Sequence, residues 1–198
     1  MQFEVLTLPA LFVLAATSII LILGEDWRIS ISALGVQYIG VFILVGVTWP
    51  LEMAVIKLVA GWISAAVLGM ELVNGSPDQL AAERYPFSDR IFKLFLAILV
   101  GFAIFSFVPQ VAKWMLQASY EQIVGGLLLA GMGILHLGVS DRPFRVAVGL
   151  LTFLSGFEII YATVETSAIV AGFLAVFSLG IALIGSYLTF APTLEVDE

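Results

Sequence analysis

Long apolar stretches of about twenty residues recur along this chain and are broken only by short charged or turn-forming segments. Such a pattern leaves few folds open. A helix needs about 20 apolar residues to cross a roughly 30 Å hydrocarbon layer. Lipid cannot hydrogen-bond exposed backbone groups, so a spanning segment of this length must be helical. Apolar residues make up 61% of the 198 residues and the mean hydropathy is +1.11, well beyond a soluble domain. The expected fold is therefore an all-α, polytopic membrane protein without room for a sizeable extramembrane domain.

Charges and turn residues divide the chain into seven expected helices, at residues 6–24, 29–49, 51–73, 91–111, 122–139, 144–164 and 167–190. No basic stretch precedes the first apolar run, where Glu4 is the nearest charge, so it is expected to be a retained helix rather than a cleaved leader. The longest polar stretch divides the spans as three, one and three. This sets the expected organisation: an N-terminal three-helix block (1–73), a cytoplasmic loop (74–90), a linking helix (91–118), and a second three-helix block with an acidic tail (119–198). Lys and Arg accumulate on the cytoplasmic side during insertion. Under the seven-helix count Arg28, Arg84, Arg90, Lys93, Arg142 and Arg145 fall on one side and Lys113 on the other. The N-terminus is thus expected outside and the C-terminus in the cytoplasm, in a plasma membrane or bacterial inner membrane. Both blocks contain a helix, a short charged turn (Glu25 to Arg28; Ser140 to Arg142) and a second helix with a glycine near its middle. They read as a duplication, and one further helix between them would leave the blocks parallel.

Several chemistries are poorly served by these residues. The chain has no cysteine, which removes disulfides, thiolate metal sites and iron–sulfur ligation, and its single histidine cannot build a metal cage. A net charge of −7 argues against nucleic acid as a partner. No cofactor or metal is expected on this chain, and no catalytic group stands out.

Glu158 is the most informative position, near the middle of the sixth expected span. An acidic residue at a helix centre costs about 2.5–3.5 kcal/mol to insert, so it faces protein or water and commonly serves a proton or ion path. The alternative is a neutral carboxyl acting as interhelical glue. Glu165 follows seven residues later, roughly 10 Å along the same helix face. It could extend a relay or simply reach interfacial water. Lys57 lies inside the third span, where it could pair with an acid or snorkel to the interface. Glu52 is spaced badly for an intrahelical pair with it. His136, Gln37, Gln110 and Gln117 read as interfacial or helix–helix hydrogen-bonding groups. Glu25, Asp26 and Asp141 read as solvated charges beside arginines.

The stretch from Leu127 to Leu188 resembles the K-type subunit of the proton-pumping NADH:quinone oxidoreductase, complex I, and its relatives in Mrp antiporters and group 4 membrane-bound hydrogenases. The features carrying the likeness are the turn Asp141-Arg142, the run Gly156-Phe157-Glu158-Ile159, and a third helix rich in Ala, Ser and Gly from Leu174 to Leu183. The lysine-bearing stretch Ala54 to Val59 and the extra N-terminal spans resemble the longer E-type subunits of those hydrogenases. The resemblance implies a non-catalytic membrane-arm subunit of an ion-translocating redox complex, packed between antiporter-like subunits, with Glu158 as the proton carrier. Val176 stands where K-type subunits usually have a second glutamate. A two-glutamate relay would then need Glu165 or a neighbouring subunit's acid. Two other readings remain: an independent small-solute or cation transporter using Glu158, and a membrane enzyme, for which no interfacial cluster of reactive groups is visible.

Overall fold

The computed structural model describes residues 4–74 and 87–190. Seven α-helices follow a single 3-10 turn: α1 (Thr7–Leu23), α2 (Trp27–Val45), α3 (Leu51–Asn74), α4 (Phe87–Trp114), α5 (Tyr120–Gly138), α6 (Pro143–Ala162) and α7 (Ala168–Phe190). No strand occurs among the described residues. Six helices are long and apolar enough to cross a membrane, and α1, at 17 residues, is slightly shorter. The chain is an all-helical, multi-pass membrane protein.

Its polarity is inverted relative to a soluble fold. Large apolar side chains point outward, among them Phe102 at 75% and Ile169 at 85% exposure, while Ser18, Gln37, Lys57, Ser64, Gln122, His136, Ser155 and Glu158 are buried. In lipid this distribution leaves the polar groups with other protein groups and the apolar ones with acyl chains.

The helices form two layers. Helices α1, α2 and α3 pack side by side, α5, α6 and α7 do the same, and the layers meet as α1 on α5, α2 on α6 and α3 on α7. Each of these facing pairs runs in the same direction. Leu14 lies over Gly125 and Ile22 groups with Met132; Val41 packs with Ile159; Ala54 groups with Ala171 and Leu68 reaches the Gly185 region. Helix α4 closes one edge of the bundle against α5 and α1, through Ile104, Val108, Ile123, Val124 and Leu11.

Small residues set the closest crossings. A Cβ on Gly40 would come within 2.7 Å of Leu14 Cδ2, and one on Gly156 within 2.6 Å of the Gly126 carbonyl oxygen. One constant offset relates Ala10 to Gly126, Leu14 to Ala130 and Gly40 to Gly156, and it also relates Asp26 to Arg142, the residues that precede α2 and α6. The two blocks therefore repeat the same crossing at the same position.

The helix bounds depart from the sequence expectation where polar residues lie on helical turns. Residues 87–90, expected in the loop, are the first turn of α4, and Lys113, expected beyond the span, lies in its last turn. Acidic Asp89 near its N-terminus and Lys113 near its C-terminus complement the helix dipole and support both extensions. Pro109 is inside α4 rather than at an end. Helices α2 and α6 stop earlier than expected, at Val45 and Ala162. Asp26 is not merely solvated: its carboxylate accepts the Arg28 N–H at 2.9 Å and caps α2. Glu25 forms an ion pair with Arg90 across to α4. Arg84, most of the 74–90 loop and the acidic tail lie outside the described residues.

The glycine crossings predict a sharp contrast. Gly156→Leu should lower unfolding stability in detergent by about 1–3 kcal/mol through overpacking. Gly101→Leu, on α4 with open space around its Cα, should change it by less than about 0.5 kcal/mol. Thermal unfolding of the two variants beside the wild type checks this.

Candidate functional site

Lys57 sits on α3 nearly two turns from its start, on the helix face turned into the bundle. Glu158 sits on α6, likewise about a turn from its end. The structure brings them together: Lys57 Nζ donates to Glu158 Oε1, with the side chains only 2% and 1% exposed. Lys57 therefore does not snorkel. Helix α3 packs chiefly on α2 and α7, and α6 on α5, α7 and α2. The four-carbon lysine stem thus bridges helices that are not broad packing neighbours, which a shorter cation could not do.

Glu158 is not at the centre of its span. Because α6 ends at Ala162, the carboxylate lies in the outer third, near the end of the bundle where α3 and α7 begin. Glu165 lies beyond the helix, exposed, in the connection to α7. Its carboxylate accepts its neighbour's N–H from Thr166 at 3.1 Å, and its backbone oxygen accepts from Trp49 Nε1 at 2.9 Å. Of the two expected readings of Glu165, this exposure fits a carboxylate that reaches out of the bundle, and α6 has ended before Glu165 could share a face with Glu158.

The pair has a third neighbour that the sequence reading passed over. Tyr38, buried on α2, brings its hydroxyl within electrostatic reach of Glu158 and beside Ser155. Room for its ring comes from Gly61, whose absent side chain would collide with it. Gly61 lies one turn after Lys57 on α3, so a glycine next to the charged residue was the available signal. Glu158 Oε2 and the Tyr38 hydroxyl are buried without a hydrogen-bonding protein partner.

The end of the bundle nearest the pair is apolar inside. Trp49, Ala54, Ile159, Ala162 and Ala171 form a buried apolar cluster there. Gln122, also missed, closes a capping box with Ser119 and donates to the Leu44 carbonyl at 2.9 Å, fastening the start of α5 to the end of α2.

His136 is near the far end of α5, at the end of the bundle that carries Arg28, Arg90, Lys93, Arg142 and Arg145. It is buried rather than interfacial, and its Nε2 has no hydrogen-bond partner. Arg145 and Lys93 are the cations within electrostatic reach of the ring. Arg145 in turn donates to the Gly24 carbonyl that ends α1, and Lys93 pairs with Asp89 at 2.9 Å. Gln37 is fully internal on α2, with neither amide atom bonded, whereas Gln110, Gln117 and Glu52 are exposed. Val176 is 65% exposed on α7, so an acid there would face whatever covers that helix rather than Glu158. Among the described residues no three His, Asp or Glu side chains converge as a metal site would require.

Chemically, the arrangement is a desolvated carboxylate held by one ammonium group, with a phenol nearby. Protonation of Glu158 would remove the attraction that holds Lys57, so two states of the pair are accessible to a single proton. No protein-family model, curated protein or solved structure matches the chain.

Breaking one side of such a pair leaves a buried uncompensated charge. Glu158→Ala or Lys57→Met alone should destabilise the protein by about 3–5 kcal/mol. The double variant Lys57→Met/Glu158→Leu should recover most of that loss, and a thermal-unfolding double-mutant cycle measures it.

Proposed function

We propose that this chain is a membrane subunit of a multisubunit, ion-translocating redox complex, and that Glu158 with Lys57 is its ion-handling element. The observation that carries the reading is the buried pair itself. Intramembrane ionisable groups are costly, and a carboxylate matched by a mobile ammonium group is the arrangement used to hand a proton or cation on. The resemblance of residues 127–188 to K-type subunits supports the reading from an independent direction, since the glutamate of that motif is the one that pairs with Lys57. The outward faces of α4 and α7, rich in Phe and Ile, suit a setting among lipid and antiporter-like membrane subunits. In this reading redox centres and substrates belong to other chains, this chain holds no cofactor, and the basic end of the bundle faces the cytoplasm of a plasma or bacterial inner membrane.

The parallel packing of two equivalent three-helix blocks supports a second reading, an independent small-solute or cation transporter in which the blocks move against each other around Glu158. The two readings differ in what accompanies the chain.

Extraction of the tagged chain from its native membrane in mild detergent, followed by mass spectrometry of what co-purifies, separates them. Recovery of large antiporter-like subunits in stoichiometric amount is the expected result, and Glu158→Gln in that assembly should then reduce ion translocation at least about tenfold. A homogeneous preparation of this chain alone would overturn the redox-complex reading in favour of the transporter.

A further inference from the structure

Two helix pairs that repeat one design differ at the basic end of the bundle. The offset that relates Gly40 to Gly156 also relates Gly69 of α3 to Gly185 of α7, and Ile31 of α2 to Ala147 of α6. In the second block a Cβ on Gly185 would collide with the Ala147 Cβ, so α6 and α7 nearly touch there. In the first block the atom nearest to a Cβ on Gly69 is the tip of Ile31, Cδ1 at 3.2 Å. The longer side chain holds α2 and α3 apart at this level. Beside it the two helices leave an apolar groove of about 400 Å³, lined by Trp27, Ala66, Gly69, Met70 and Val73. Ala66 on its floor is exposed, whereas Ala182, the equivalent residue of α7, is fully buried. The groove is thus peculiar to the first block.

The lip of the groove carries a charge. Trp27 and Arg28 open α2, and the exposed Arg28 guanidinium lies over the Trp27 ring, 5.3 Å from its centroid. The neighbouring acids are engaged elsewhere: Asp26 accepts the Arg28 backbone N–H, and Glu25 pairs with Arg90. No carboxylate among the described residues pairs with the Arg28 side chain. In the second block Pro143 and Phe144 stand at the equivalent positions, so the indole and the cation belong to the first block alone. We infer that the groove holds one anionic phospholipid, with an acyl chain over Gly69 and Ala66 and its phosphate on Arg28. A guanidinium can give two N–H donors to phosphate oxygens, and a tryptophan at a helix start marks the depth where headgroups give way to acyl chains. A zwitterionic lipid would bring an ammonium group towards Arg28 and be repelled. Size also selects a lipid. One turn of a helix, about 10 Å across and about 5.4 Å long, already fills roughly 400 Å³, so a partner helix would seat a single turn, whereas a methylene chain can lie along the gap. Such a site goes beyond the proposed function and is independent of it, tying the first block to the anionic lipid of one leaflet.

Photo-crosslinking tests the site on the full chain, extracted with whatever accompanies it and returned to phosphatidylcholine vesicles. These contain a trace of phosphatidylglycerol with a diazirine on one acyl chain, and mass spectrometry after illumination locates the label. The expected result is labelling of residues 66–73, competed by unlabelled phosphatidylglycerol but not by added phosphatidylcholine. Arg28→Gln should lower it at least about fivefold, while Arg142→Gln, an equal loss of charge at the same end of the bundle, should leave it within about twofold. Ala66→Phe fills the groove from an exposed position with Arg28 intact, and should lower labelling by a similar factor to Arg28→Gln. Equal labelling by a diazirine phosphatidylcholine in a parallel preparation would mean ordinary boundary lipid and overturn the inference. Labelling unchanged in Arg28→Gln or in Ala66→Phe, or lowered as much by Arg142→Gln, would overturn it too. An absence of label from residues 66–73 would mean that protein covers the groove, with the same consequence.

Discussion

Lipid hydrocarbon offers no hydrogen bonds, and the architecture follows from that single deficiency. It forces the backbone into helices, turns large apolar side chains outward and sends polar ones inward to find protein partners. Most of them succeed locally. Ser18, Ser64, Ser155 and Ser178 donate to carbonyls one turn back on their own helices, the least demanding solution for a small hydroxyl. The side chains that cannot do this are the long ones, and their positions define the interior: Gln122 bonds a neighbouring helix end, Lys57 crosses to Glu158, and Gln37 and His136 retain unpartnered atoms.

The ion pair and the unpartnered groups are two responses to the same problem. A lysine and a glutamate that meet neutralise each other's charge, but the carboxylate has four acceptor sites and the lysine occupies one, leaving Oε2 open to another donor. Apolar clusters fill the bundle on both sides of the pair, around Trp49 and Ile159 at one end and around Leu34 and Leu151 towards the other, so Lys57 and Glu158 are isolated charges in an otherwise apolar interior.

Much of the fold was legible because it depends on length and charge alone. All seven helices begin and end near the charged and turn-forming segments that mark them, and the departures come from residues whose polarity conceals helical turns, such as Asp89 and Lys113. The site was half legible. Lys57 and Glu158 announced themselves as charges within apolar stretches, but their distance in sequence gave no sign that they touch, because contact depends on which faces α3 and α6 present to each other. For Glu165 the helix spacing that would align it with Glu158 does not apply, because the chain turns after Ala162, and its alternative reading as a carboxylate that reaches out of the bundle fits its exposure. Tyr38 carried only an indirect signal, the glycine one turn after Lys57, since a tyrosine in an apolar run reads equally well as packing, and burial with an open polar atom is what marks it out.

The bridging lysine also has a mechanical side. Helices α3 and α7 are among the most intimately packed pairs in the bundle, as are α5 and α6, and Lys57–Glu158 links one pair to the other across a seam otherwise held by apolar contacts. Apolar surfaces slide over one another with little change in energy, whereas an ion pair resists both shear and separation. A proton arriving on Glu158 would turn this charged strut across the seam into a slack joint. The same event that moves a charge would then release one pair of helices from the other, converting a chemical step of a single proton into freedom of motion on the scale of whole helices.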